Sequence, residues 1–190
     1  MMLITRNIIC LIALVVISPL LFLSVLLVIF EDGLPAFFVQ KRVGQNKKVF
    51  TIYKIRTMKK NTPQLGTHEV DGNFLLASGN LIRALKLDEF PQLINVVLGH
   101  INLVGPRPGL IVQTALLRER ENRDIFYIKP GITGLAQILG YDMSDPKKLS
   151  EVDLIYMKNK TLYIDFLILL GTFFSKVRNF VSIKIGVPHK

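Results

Sequence analysis

The run Ile8-Ile9-Cys10-Leu11-Ile12-Ala13-Leu14-Val15-Val16-Ile17-Ser18-Pro19-Leu20-Leu21-Phe22-Leu23-Ser24-Val25-Leu26-Leu27-Val28-Ile29-Phe30 decides how the rest of the chain must be folded. No charged residue occurs from Asn7 to Phe30. As a helix it would reach about 35 Å at ~1.5 Å per residue, enough for a hydrocarbon core of roughly 30 Å. Arg6 ahead of an apolar run also begins many signal peptides, but this run outlasts a usual h-region and Phe30-Glu31-Asp32 offers no small-residue cleavage site. A retained membrane element over 1–32 is expected, followed by a domain over 33–190. Ser18-Pro19 falls at the middle of the run. Proline removes a backbone donor and crowds the carbonyl four residues earlier. The residues alone allow two outcomes: a kinked spanning helix, or a re-entrant helix-break-helix that returns to its starting face.

Behind this run the chain is basic. The 190 residues carry 24 Lys and Arg against 14 Asp and Glu, a net charge of +10. Such an excess suits nucleic acid, anionic headgroups or phosphorylated substrates, and the neighbouring anchor favours lipid. The positive-inside tendency places the body in the cytoplasm. Cys10, the single cysteine, lies in the apolar run, which removes an intramolecular disulfide and a thiol-rich metal site. His68, His100 and His189 show no metal-ligand spacing. No G-x-G-x-x-G, P-loop or serine nucleophile elbow occurs, which argues against a Rossmann enzyme, an NTPase or an α/β-hydrolase. The aromatic residues are not interleaved with arginine as a nucleic-acid stacking platform requires.

The pattern after the anchor predicts strands over 36–40 and 49–55 around the turn Gly44-Gln45-Asn46-Lys47-Lys48. Residues 59–79 are polar and aperiodic, a loop able to order over a substrate. Helices are expected over 80–86, over 89–98 with Gly99 closing it, over 110–122, and from Asp145-Pro146 to about Lys160. From Leu162 to Phe174 the chain is again apolar but too short to span. Basic residues interleaved with Phe173, Phe174, Val177, Phe180 and Ile183 suit helices in the headgroup region, with a core helix and frayed tail as the alternative.

Two stretches carry candidate chemistry: Leu87-Asp88-Glu89-Phe90-Pro91-Gln92-Leu93-Ile94-Asn95 and Val104-Gly105-Pro106-Arg107-Pro108. Taken alone, Asp88 reads first as a helix N-cap with Pro91 in the first turn. Lys54 and Arg56 alternate with Tyr53 and Ile55 and would share one face of a strand, whether a solvated face or a phosphate-binding one. Asp165 reads also as a helix-start carboxylate.

These stretches, with Gly33-Leu34-Pro35, Phe38-Val39-Gln40-Lys41-Arg42-Val43-Gly44, Tyr53-Lys54-Ile55-Arg56-Thr57-Met58 and Lys129-Pro130-Gly131-Ile132-Thr133-Gly134-Leu135-Ala136-Gln137, resemble the bacterial sugar transferases, the small monotopic phosphoglycosyl transferases. The resemblance runs in order along nearly the whole chain. It implies an α/β, mostly helical fold: a re-entrant membrane helix broken at Ser18-Pro19, then a small cytoplasmic catalytic domain with a β-hairpin and membrane-surface helices. It further implies transfer of a sugar 1-phosphate from a UDP-sugar to undecaprenyl phosphate, releasing UMP, as an early membrane step of surface glycan assembly such as O-antigen or capsule. Asp88 would be the nucleophile and a Mg2+ ligand, with Glu89 orienting the site or relaying protons. Lys54, Arg83 and Arg107 become phosphate contacts. Arg56, Gln137 and Asp165 join them as substrate-binding candidates, the last two matching frequent family positions. The short length is similar to that of members using N-acetylated UDP-sugars.

Two departures stand out. Gly99-His100-Ile101-Asn102 replaces a common Gly-Asp/Glu-Met-Ser, and Gly140-Tyr141-Asp142-Met143 replaces a frequent Asn-Gly-Arg, removing a cation near the sugar end. A non-catalytic, membrane-anchored basic module that binds lipids or recruits glycan-assembly partners is the competing reading. It would need no Asp88-Glu89 pair. Either could act alone or as a homodimer.

Overall fold

A computed structural model describes residues 2–62 and 74–190. Most of the expected 59–79 loop, with His68, lies outside the described residues. The architecture is α/β and mostly helical, with a three-stranded and a two-stranded sheet. Its contacts divide into two units, Met1–Gln40 with Thr51–Gly99, and Lys41–Phe50 with His100–Lys190.

In the first unit, helix α1 (Met2–Asp32) runs without interruption through Pro19. The carbonyl that Pro19 leaves without its helical donor is that of Val15, and the Ser18 hydroxyl donates to it at 2.7 Å. The expected break at Ser18-Pro19 is therefore a locally repaired turn. One stripe of α1 packs inward, with Cys10 and Val28 buried and Ile17, Leu21 and Val25 partly so. The other faces are exposed and apolar, among them Val15 at 72%, Val16 at 73% and Phe22 at 65%, a surface that needs a hydrocarbon solvent rather than water. This is the one helix among the described residues long and apolar enough to cross a membrane.

Both ends of α1 bond to the same unit. Near its start, Arg6 Nη2 donates to Val96 O at 3.2 Å and Asn7 Nδ2 to Val97 O at 3.4 Å. Near its end, the Glu31 carboxylate accepts from the backbone of Ala77 at 2.6 Å and of Ser78 at 2.9 Å. That carboxylate caps helix α2 (Ala77–Ala84), whose own N-cap Leu76 offers no side-chain acceptor. The expected start at Asn80 falls too late because this cap arrives from a distant part of the chain. Strand β1 (Phe37–Val43) and strand β2 (Val49–Ile55) flank a short 3-10 turn at Gln45–Lys47, as the hairpin pattern predicts. The helix expected over 89–98 is instead a 3-10 segment, Leu87–Gln92, running into the short α3 (Leu93–Val97). Pro91 lacks an N–H and crowds the preceding turn, which disfavours regular α-helix there.

In the second unit, β3 (Asn102–Val104) pairs in parallel with β5 (Gly131–Thr133), and β4 (Gly109–Leu110) pairs antiparallel with residues 42 and 43 of β1. These short strands escape the sequence pattern, which assigns Leu110 to a helix. Helix α4 begins only at Thr114 and ends at Glu121, because Pro108 precedes a bridge and Leu110 N bonds the Gln113 side chain at 2.8 Å. After α5 (Leu135–Ile138), helix α6 (Pro146–Asn159) starts as predicted, with Asp145 accepting from Lys148 N at 2.9 Å. Helices α7 (Leu162–Phe173) and α8 (Ser175–Ile185) pack together. Their inward residues, including Ile164, Leu167, Ile168 and Val181, complete a core with Leu135, Leu149, Val152 and Tyr156. Leu162, Tyr163, Phe166, Phe173, Phe174 and Ile183 remain exposed, each above half of its surface.

Candidate active site

Four candidate residues meet in the first unit. Lys54 is the penultimate residue of β2, Arg83 lies in the last turn of α2, and Asp88 and Glu89 sit in the 3-10 segment. Lys86 takes a left-handed conformation at φ 59° and turns the chain between α2 and that segment. Leu87 then anchors the turn in the core beside Ile82, Ile55, Leu76 and Val28. Asp88 is consequently not a helix cap, the role its position alone would suggest.

Close approach of α2 to the end of β2 seats Arg83. Leu76 N donates to Thr57 O at 3.0 Å, and Arg83 Nε donates to Thr57 Oγ1 at 2.8 Å. Gly79 permits this packing, since a Cβ there would stand 2.3 Å from Thr57 O. Asn95 ties α3 to the same strand by donating from Nδ2 to Thr51 O at 2.7 Å. Neither Thr57 nor Asn95 stands out from the sequence. A fully buried asparagine between Leu93 and Val96 is the available signal, a polar residue on an apolar face.

The electrostatics are uneven. Lys54 Nζ and Glu89 Oε1 form an ion pair at 2.6 Å. Asp88 is only 9% exposed. Burial pushes its carboxyl above the usual aspartate range, and the Glu89 charge adds to that, against the pull of Lys54, Arg83 and Lys86. A desolvated carboxylate under the influence of three cations is poised to react with, or bind through, something that brings positive or electrophilic character.

Arg56, expected on the face of Lys54, is turned elsewhere. Strand β2 ends at Ile55, so alternation does not carry past it. The Arg56 guanidinium pairs with the Asp32 carboxylate and also donates to Asp32 O at 3.3 Å, joining the end of α1 to the end of β2.

Arg107, Gln137 and Asp165 belong to the second unit. Arg107 lies in the Pro-rich turn and its charge acts on Arg42, which is held down to about 9 by burial first and by Arg107 second. Gln137 donates to Ile132 O at 3.0 Å, while its buried Oε1 has no partner among the described residues. Asp165 accepts from the Tyr156 hydroxyl at 2.7 Å and lies 3.6 Å from Lys160 Nζ. In the departure segment, Asp142 is held at about 2, chiefly by hydrogen bonds from Ser144 and then by Lys190.

Among the described residues no group of three or more His, Cys, Asp or Glu side chains converges. A protein-only metal cage would require one. Magnesium does not, because one or two carboxylates with substrate phosphate oxygens suffice, and the buried Asp88 carboxylate fits that demand.

The sequence pattern of the family described as bacterial sugar transferase matches residues 3–179. An uncharacterised sugar transferase of Bacillus subtilis (strain 168) is 40% identical over 155 residues, covering 82% of this chain and 76% of that protein. The UDP-N-acetylgalactosamine-undecaprenyl-phosphate N-acetylgalactosaminephosphotransferase of Aeromonas hydrophila is 37% identical over 171 residues, 85% of this chain and 40% of that one. The undecaprenyl-phosphate galactose phosphotransferase of Salmonella typhimurium is 36% identical over 186 residues, 88% of this chain and 39% of that one. The chain thus spans three-quarters of the first relative and about two-fifths of the other two.

Proposed function

The chain belongs to the bacterial sugar transferase family, and from that premise we propose that it moves a sugar 1-phosphate from a UDP-sugar, of the N-acetylated class, onto undecaprenyl phosphate. The observation that carries this reading is the buried Asp88 beside the Lys54–Glu89 pair and under the charge of Arg83. One Asp88 oxygen attacks the sugar-linked phosphorus, the bond from that phosphorus to the bridging oxygen breaks, and UMP leaves with the electron pair. The aspartyl-phosphosugar then loses its group to an oxygen of undecaprenyl phosphate, which regenerates the Asp88 carboxylate. An anion approaching a diphosphate makes charge neutralisation the dominant requirement. Lys54, Arg83 and Arg107 supply part of it, and Glu89, fixed by Lys54, orients the site. Asp88 would also hold magnesium, which supplies further neutralisation of the diphosphate when bound.

The topology follows the same reading. Helix α1 dips its exposed apolar faces into the membrane of a bacterial cell from the cytoplasmic side and keeps both of its ends on that side, with residues 33–190 as the membrane-associated catalytic part. Support comes from its two ends, where Arg6 and Asn7 bond to α3 and Glu31 to α2 of one unit, which a helix delivering its start to the far side of a bilayer would not allow. The exposed apolar residues of α7 and α8 by themselves suit a lipid surface.

The test is UMP release from a panel of UDP-sugars by detergent-solubilised protein with undecaprenyl phosphate and magnesium. Without lipid, the covalent route gives about one UMP per active site and a sugar-phosphate mass gain on the Asp88 peptide. Active enzyme that releases no UMP before lipid is added would transfer directly and return Asp88 to metal binding alone.

A further inference from the structure

The Arg107 turn is held at every residue. The Tyr156 hydroxyl lies 3.2 Å from Val104 O. Gly105 N donates to Thr133 O at 2.9 Å and Gly131 N to Pro106 O at 3.0 Å. Arg120 Nη1 donates to Arg107 O at 2.7 Å, and Arg42 Nη1 to Pro108 O at 3.1 Å. Five consecutive residues therefore have their main chain fixed. Gly105 makes the packing possible, since a Cβ there would stand 2.5 Å from Lys129 O.

Two of those donors are guanidinium groups, and both are buried, Arg42 at 9% and Arg120 at 3% exposure. The remaining Arg120 nitrogens, Nε and Nη2, donate to Asp153 Oδ2 at 3.0 and 2.7 Å. Taking a guanidinium and a carboxylate out of water opposes folding, and an apolar pair of similar volume often serves stability equally well. A turn carbonyl needs only a neutral donor. From Val104 to Leu110 every residue is buried except Arg107, which is partly exposed. The buried charges hold the main chain at the one residue of the turn that is not buried, and at the residue after it.

We infer that Arg120, locked by Asp153, and Arg42 are positioning residues that aim the Arg107 guanidinium at a phosphate of the nucleotide. A planar fork gains its two-oxygen grip on phosphate only at the correct angle, so aim matters more here than charge. This inference rests on the proposed role of Arg107 as a phosphate contact.

The experiment measures UMP affinity, KM and kcat for a turned-over UDP-sugar, and thermal stability, using the full chain in lipid nanodiscs. The variants are R107A, the apolar exchange R120M/D153L, and the two combined. The apolar exchange should melt near the wild-type temperature yet bind UMP up to about 10²-fold more weakly, the scale of a small misplacement at a reacting site. The KM should rise more than kcat falls, and in the R107A background the exchange should add nothing, because what it aims is already gone. Wild-type UMP affinity in R120M/D153L, with R107A weakened, overturns the inference alone. Wild-type affinity in R107A overturns the reading of Arg107 and this inference with it. If the apolar exchange does not fold, R120K carries the comparison, since it keeps the charge beside Asp153 and loses the fork. Losses that add between R107A and R120K make Arg120 a structural residue only.

Discussion

Asp153 in α6 and Asp88 in the 3-10 segment are both buried, at 2% and 9% exposure, and burial pushes both carboxyls upward. Their neighbourhoods differ. Asp153 receives two hydrogen bonds from one guanidinium, Arg120, so its charge is met by geometry as well as by field. Asp88 stands beside Glu89, whose charge opposes its own, and the pull of Lys54, Arg83 and Lys86 does not offset its desolvation. A carboxylate satisfied inside the fold has its hydrogen-bonding capacity taken up there, whereas one left under-compensated keeps its capacity for an incoming electrophile or cation.

The largest expected effect separates them by activity. Asp88→Asn should lower turnover by on the order of 10⁴-fold or more, the scale seen when a covalent nucleophile is removed. Glu89→Gln should lose most turnover through the loss of its ion pair with Lys54. The Asp88→Asn protein should melt no lower than wild type, because the substitution removes a poorly compensated buried charge. Assays of UMP release beside a thermal melt decide this. Near-normal turnover by the Asp88→Asn protein would end the claim that the carboxylate acts as nucleophile.

Asp153→Asn should do the reverse to stability. It leaves the Arg120 charge buried against a neutral amide, which by comparison with broken buried pairs costs about 3–5 kcal/mol. A melting temperature unchanged by Asp153→Asn would dissolve the contrast with Asp88. Next in size is Gly79→Ala, which drives a methyl to 2.3 Å from Thr57 O and should destabilise by about 1–3 kcal/mol while displacing Arg83. Its signature is a loss of turnover greater than the loss of folded protein, since Arg83 hangs on the Thr57 hydroxyl.

The contrast also marks what the sequence can reveal. The apolar run, the hairpin and the Asp145-Pro146 helix start are local signals, set by periodicity or turn chemistry, and each is legible. The start of α2 is not, because its cap is Glu31, far away in the chain. Nor is the helix kept whole through Pro19, where the Ser18 hydroxyl substitutes for the absent donor. Strands β3, β4 and β5 are two or three residues long, too short for a period to register. Arg56 is misplaced by extending strand alternation one residue beyond the strand, and Arg120 and Asp153 look like ordinary charges on amphipathic helices. Charge pairing across distant elements leaves no local trace.

The smallest effect concerns pH. A carboxyl raised by burial binds its proton more tightly in the folded than in the unfolded chain, where an aspartate titrates near about 3.9. Between those two values the folded state holds more protons, so the stability that Asp88 allows is greatest at low pH and declines as pH rises through its folded value. Asp153 is raised by burial as well, against the pull of Arg120, so its contribution runs in the same direction and is common to wild type and the Asp88→Asn protein. Subtracting the melting profile of the Asp88→Asn protein from that of wild type should therefore leave a difference that grows against wild type as pH rises from about 4 toward neutrality. Turnover should fall on acidification over the same interval, because the nucleophile is lost by the proton that stabilises the fold. If the two melting profiles run parallel from acid to neutral pH, Asp88 is no less compensated than Asp153.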